Sequence, residues 1–436
     1  MRCRSASRGD SPRNPRSLSL SPVIWRPGCR MPAVEQMHNL EQDRAMRSTV
    51  VFPTAAMLAV LTMGSMANFT IAVIAPAAAP AIGVKATYIG VFTAIVYTFA
   101  MISGTLAGAF IFRYGAIRVC QFTMLAAAAG MAAIALSSPP AAILSAVLLG
   151  LAYGPFNPAS GHVLAGISPP KWRALIFSVK QTGVPVGGAL AGAVVPLLVV
   201  LLGWQGAALI VGAVALIVMV LVQSLRYTLD ADRKPDWPLA SASVLAPLKL
   251  VLSDRALRKF SIAGFAYSGC QVSVGAFFVV YLAQVLGMSL IQAGLVFAFV
   301  QAGGIFGRVF WGMIADRWVS ARALLAGLGF AIAASLLMAA RFDSDWALAP
   351  IMAVGFVLGA SSFGWVGVYL SEIARLAPHG KIGEVTGGVQ FVYFGGVVVV
   401  PPAFGAIVIL TQSYTASFLI IAALALITGF YLLRGT

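Results

Sequence analysis

Lys180 is the residue in this chain best placed to do chemistry. It lies about seven residues into an apolar stretch that begins near Arg173, about 10 Å deep at 1.5 Å per helical residue. A charge at that depth is costly and usually serves a function. Gly183 and Gly187 follow at i+3 and i+7, on its own helix face. Small residues on that face imply close helix packing, so Lys180 points into protein and not into lipid. Pro185 in the same stretch frees a backbone carbonyl and can bend the helix. An ammonium that faces a cavity selects anions; the competing reading is that it snorkels back to the surface.

Other polar residues lie at similar depth in other apolar stretches. Tyr153 and Asn157 are one turn apart, as are Tyr267 and Gln271; Gln301, Trp365 and Tyr393 stand in three further stretches. In lipid such groups need partners, so most must face inward. A single one ordinarily ties two helices together. As a set around one cavity they would hold a small polar solute through amide and phenol groups. This is recognition chemistry. His38, His162 and His379 are too dispersed for a metal site, and Cys3, Cys29, Cys120 and Cys270 have no paired spacing. No phosphate-cradling loop occurs, so no metal, nucleotide or other cofactor is expected, and no enzyme.

The elements that must carry these residues follow from composition. The chain is 60% hydrophobic and 10% charged, with mean hydropathy +0.92. A soluble protein of this length carries roughly a quarter charged residues, so the surrounding solvent is lipid. The net charge of +16 does not indicate nucleic acid, because the basic residues are scattered over loops. Twelve segments are long and apolar enough to span a bilayer: about 50–75, 88–111, 117–136, 142–166, 174–202, 205–225, 260–284, 289–314, 321–340, 346–371, 383–410 and 413–433. Pro76 and Pro80, Pro139-Pro140, Pro169-Pro170, Gly203 and the Asp343/Asp345 pair separate them.

Arg113, Arg118, Lys171, Arg173, Arg317, Arg322, Arg375 and Lys381 all fall in connections on one side of the membrane, while the other side holds only Lys85 and Arg341. The positive-inside rule then puts both termini in the cytoplasm. Residues 1–48 hold nine of the 29 Lys and Arg, with many Ser and Pro. They read as a disordered basic tail or as sequence upstream of the true start. Residues 49–226 and 260–436 form two six-segment units. The linker 227–259 between them carries a short helix expected to lie on the membrane surface.

The two units repeat each other. Gly108, Arg113 and Arg118 after the second segment recur as Gly312, Arg317 and Arg322 after the eighth, but Phe112 stands where the second copy has Asp316. Leu149-Gly150 recurs as Leu358-Gly359, and Lys171 as Lys381. Over residues 50–434 this pattern resembles the major facilitator superfamily, whose signature in this loop is Gly-x-x-x-Asp-Arg-x-Gly-x-Arg. The second copy lacks the later Gly and the first lacks the Asp. The stretch Arg173 to Gly188 further resembles bacterial members grouped with cyanate and other small-anion transporters.

The resemblance implies an all-α membrane protein of twelve transmembrane helices in two pseudo-symmetric six-helix bundles. It implies a secondary transporter of the bacterial inner membrane, a monomer with a small-molecule solute and lipid as its partners. Alternating access would move the solute through a site between the halves. It also gives Gly108, Arg113, Gly312, Asp316, Arg317 and Arg322 a gating role. Asp316 would latch the start of the eleventh segment, near Lys381 to Glu384. Phe112 cannot accept a hydrogen bond, so the matching latch toward Lys171 to Ala174 is missing or replaced by packing.

No Asp or Glu lies in the middle of any segment, and proton-coupled pumps usually need one. Anion exchange, facilitated diffusion and symport of a proton with the solute stay open. A drug or metabolite efflux antiporter is the rival within transport, on the partial likeness of Gly183-Val-Pro185-Val-Gly187-Gly188 and Gly192 to an exporter motif. A non-transporting receptor is the rival outside it.

Overall fold

The computed structural model describes residues 50–169, 172–239, 245–378 and 381–434. The basic tail, Lys171, His379 and the side chains of Ala174 and Glu384 lie outside the described set. Everything described is helix, turn or loop. The long elements are α1 (Phe52–Ile82), α2 (Ile89–Tyr114), α3 (Ala116–Ala135), α4 (Pro139–Ile167), α5 (Arg173–Gln181) and α6 (Gly183–Leu221). After the short α7 (Arg226–Leu229) and α8 (Leu245–Ser253) come α9 (Arg255–Gln284), α10 (Leu290–Arg317), α11 (Ala321–Ala339), α12 (Leu348–Ser362), α13 (Val366–Leu376), α14 (Ile382–Thr411) and α15 (Tyr414–Leu433).

Among the described residues eleven stretches are long and apolar enough to cross a membrane, and one of them, Leu175–Leu229, has 55 residues. At 1.5 Å per residue a straight helix of that length would be about 80 Å long, against roughly 30 Å of hydrocarbon. Gly203 breaks it at φ 73°, a left-handed conformation that suits glycine. The stretch is therefore two crossings, and the total is twelve. The fifth crossing stays helical through Thr182, between α5 and α6, but loses one ladder bond where Pro185 has no N–H; the tenth is interrupted by a turn at Phe363–Trp365, between α12 and α13.

Pro76 and Pro80 were expected to end the first crossing. They lie inside α1, which runs on to Gly83. There the left-handed Gly83 turns its N–H back onto Ala79 and Pro80. Several helix starts carry side-chain caps. Ser138 accepts from the Ala141 N–H, Asp254 from Leu257, and Ser289 forms a capping box with Gln292.

The two halves meet through small residues. A Cβ added to Gly192 on α6 would lie 2.5 Å from the Gly294 carbonyl on α10, and one on Gly90 would lie 2.5 Å from the Pro401 carbonyl on α14. Both contacts are on the side away from the basic loops, here the far side. That side is closed by direct backbone approach. The linker helix α8 has one face docked on protein: Val251 is fully buried and the Pro247 carbonyl abuts Gly388 of α14.

Candidate functional site

A cavity of about 570 Å³ lies between the halves. Its wall runs from mid-depth toward the basic-side helix ends, where Phe177, Gly161, Leu370 and Thr386 border it. The wall contains two cations, Lys180 from the first half and Arg308 from the second, and no Asp or Glu side chain among the described residues.

Lys180 is 3% exposed and donates to Asn157 Oδ1 at 3.2 Å, with its ammonium 5.6 Å from the Phe177 ring centre. It does not reach back to the surface. Asn157 comes from α4, so the first half offers an amide-steadied ammonium.

Arg308 owes its place to two interrupted hydrogen-bond ladders. Its Nε donates to the Phe363 carbonyl at 3.2 Å, and one terminal nitrogen donates to the Gln181 carbonyl at 2.5 Å. Phe363 is in the break of the tenth crossing. Gln181 lies four residues before Pro185, which has no N–H to offer it. The carbonyl that Pro185 frees is thus the one Arg308 takes, across the boundary between the halves. Carbonyls at helix C-terminal ends also carry partial negative charge, which favours a cation there. Trp311 donates to Ala360 at 2.7 Å, and a Cβ on Gly307 would lie 2.3 Å from that same oxygen, so α10 is held tightly against α12 beside the break. Arg308 uses two of its five N–H groups in these bonds. Among the described residues neither cation has a carboxylate within ion-pair distance.

Of the residues singled out from sequence, Lys180, Asn157, Tyr153, Gln271 and Tyr393 line this cavity. Tyr267, Trp365 and Gln301 do not. Tyr267 is fully buried and donates to the Leu325 carbonyl of α11 at 2.9 Å, a tie between helices. Trp365 is also fully buried and donates to Gln271 Oε1 at 3.1 Å, so it orients a wall residue from behind. Gln301 sits in the seam between α6 and α10 on the far side of the cavity. Arg308 was missed. It was legible as an Arg about nine residues inside the apolar run that ends at Arg317. Tyr97 was missed as well; it stacks edge-on with Tyr153 at 5.4 Å and with Phe394 at 5.7 Å across the halves.

The repeated turn differs between halves more than its sequence suggests. Asp316 is exposed and has no hydrogen-bond partner among the described residues, so the expected latch is not engaged. Ser320 caps α11 locally, accepting from Ala323 at 3.3 Å. In the first half the start of α3 is capped from a distance. Asp230, 4% exposed, accepts from the Ile117 N–H at 2.8 Å and the Arg118 N–H at 3.1 Å. Burial pushes its carboxyl above the usual range despite these bonds and nearby Arg226. Phe112 packs on Trp237 at 4.9 Å and on His162 at 5.6 Å, and its carbonyl accepts the Lys234 N–H at 2.7 Å. Asp232 meets His162 at 2.8 Å, and Arg113 reaches the Trp237 carbonyl at 3.5 Å. Residues 230–237 thus strap the basic-side ends of the first half. A Cβ on Gly108 or Gly312 would meet nothing within 4 Å.

The model of the Major Facilitator Superfamily matches residues 56–401. The chain belongs to this superfamily. It is a secondary transporter that works by alternating access, and not an enzyme. The chain is 22% identical to the hexuronate transporter of Bacillus subtilis (strain 168), over 66% of this chain and 71% of that one. It is 25% identical to the probable galactarate/D-glucarate transporter GarP of Escherichia coli (strain K12), over 64% and 68%. It is 30% identical to monocarboxylate transporter 11 of Homo sapiens, over 63% and 58%. Among solved structures, a bacterial homolog of the human lysosomal transporter Spinster, inward-facing and occupied, superposes with TM-score 0.72 at 15% identity. That match covers 88% of this transporter and 96% of the homolog, and it speaks for the fold alone.

Proposed function

We propose that this transporter carries a small organic acid, a hydroxylated carboxylate, and that its two cavity cations hold the anion. The observation that carries the reading is the placement of Lys180 and Arg308, one from each half, on one cavity wall that holds no Asp or Glu side chain among the described residues. A buried cation left without a carboxylate is costly unless an anion completes it. Arg308 keeps unused N–H groups in the fork geometry that matches a carboxylate. Tyr153, Asn157, Gln271, Gln390 and Tyr393 supply hydroxyl and amide groups for the rest of the solute. The names of the relatives, hexuronate, galactarate/D-glucarate and monocarboxylate, agree with a carboxylate. The likeness of residues 173–188 to cyanate transporters would favour a smaller linear anion, which a cavity of about 570 Å³ does not require.

The bias of basic residues favours the cytoplasmic side for the termini and for the open end of the cavity, and the relatives from Bacillus subtilis and Escherichia coli favour a bacterial inner membrane. The structure then stands in its inward-open state, and a single chain contains the whole path. Thermal unfolding of the purified protein against sugar acids, short monocarboxylates, cyanate, neutral sugars and lipophilic cations tests the reading. A bound ligand adds stability with the logarithm of its concentration over Kd. Sugar acids should stabilise, and Lys180→Gln should abolish the shift. Stabilisation by lipophilic cations, with none by acids, would instead support an efflux antiporter.

A further inference from the structure

Gln301 is 0% exposed, and neither its amide nitrogen nor its amide oxygen has a hydrogen-bond partner among the described residues. Buried side-chain amides are nearly always matched, because leaving them unmatched carries a free-energy penalty. The place of this exception is informative. Gln301 lies in the seam that closes the far side: a Cβ on Gly188 of α6 would come 2.5 Å from its Cδ. The same seam continues through Gly192 against Gly294 and Ala298. Gln301 also precedes Arg308 by seven residues on α10, so the two share a helix face about 10 Å apart along the axis.

We propose that Gln301 is a solute contact of the state that is open to the far side. When α6 and α10 part, its amide comes to line the path above Arg308 and finds partners in water and in the oxygens of the passing solute. In the closed seam the unmatched amide disfavours closure, so Gln301 also sets how often the far side opens. The inference rests on alternating access and holds whatever charge the solute carries.

Two labelling measurements test it in proteoliposomes with a membrane-impermeant maleimide applied from the far side. Each labelled position is identified by peptide mass spectrometry. Gln301→Cys should be labelled while Cys270, buried on α9 in the same half, stays unlabelled; an unlabelled Cys at 301 in a protein that still transports overturns the proposal. In an Ala298→Cys reporter, Gln301→Met should slow labelling at 298 about tenfold, equivalent to ~1.4 kcal/mol, and should raise the melting temperature. Gln301→Leu should act in the same direction, and Gln301→Asn, which keeps an amide, should stay near the parent rate. Equal or faster labelling in both apolar variants, or a lower melting temperature in both, contradicts the role assigned to the amide.

Discussion

The two copies of one turn have diverged into a fixed part and a free part. In the second half, Ser320 caps α11 from next door, and Asp316 stands exposed with no partner among the described residues. In the first half, Asp230 arrives from beyond α6 to cap α3, and Phe112 is clamped between Trp237 and His162. The carboxylate missing at position 112 is not simply lost. A carboxylate still serves this turn, but it comes from the start of the linker and grips the first half alone. The same contrast holds in the cavity. Lys180 is steadied by Asn157 inside its own half, whereas Arg308 reaches across to the Gln181 carbonyl. Contacts within a half build a rigid body, and contacts between halves are the ones that alternating access must break. By that criterion Arg308 is a mobile part, and the Asp230 cap and Phe112 are scaffold, while Asp316 makes neither kind of contact among the described residues.

Glycine substitution should separate the two turns most strongly. Gly115→Ala places a Cβ 2.2 Å from Asp230 Cγ at a φ of 98°, and should destabilise the protein by roughly 3 kcal/mol. Gly312→Ala meets open space and should leave melting unchanged or raise it by up to about 1 kcal/mol. If the turns close on each other during transport, Gly312→Ala should nevertheless slow flux. Equal melting of the two variants would erase the contrast.

Removing the distant cap comes next. Asp230→Ala should cost about 1–2 kcal/mol, which a thermal unfolding midpoint would resolve. Because the folded carboxyl sits above its usual range, the stability linked to it is full at low pH and falls as pH rises through the folded value. Asp230→Asn should therefore flatten part of the fall in melting that begins as pH rises above the usual carboxylate range; an unchanged profile contradicts the assignment. Phe112→Asp should lose about 1 kcal/mol of packing on Trp237 before it gains any latch. If it instead favours the outward-open state without loss of stability, read by cytoplasmic cysteine accessibility, the strap is not what holds this turn. The smallest effect on stability belongs to Asp316→Asn, within about 0.5 kcal/mol because the side chain is exposed. Its effect should be on conformation, with a larger population open to the basic side.

The bundle could be read from sequence because lipid leaves so few choices. A run of some twenty apolar residues has to be helix, and basic residues in alternate loops orient it. Gly203 showed where a 55-residue helical stretch must turn, since neither half of it could end otherwise. Lys180 was visible because a lone charge in apolar sequence needs no partner to be noticed. Tyr267 and Gln301 were not separable from Gln271 by type or depth. Which of several inward polar groups reaches a cavity depends on helix rotation, and that is set by packing at residues such as Gly188 and Gly329. The Asp230 cap could not be foreseen, because it joins positions more than a hundred residues apart through a glycine that only three-dimensional contact makes necessary.

The central claim is that one cation from each half holds a carboxylate. Uptake of the most stabilising sugar acid into proteoliposomes, compared among the parent protein, Lys180→Gln, Arg308→Gln and the double variant, tests it most directly. Each single variant should lose uptake by about a hundredfold or more, an effect of ~2.7 kcal/mol, and the double variant should lose little beyond that because both cations grip one ligand. Uptake at the parent rate in either single variant would contradict the account.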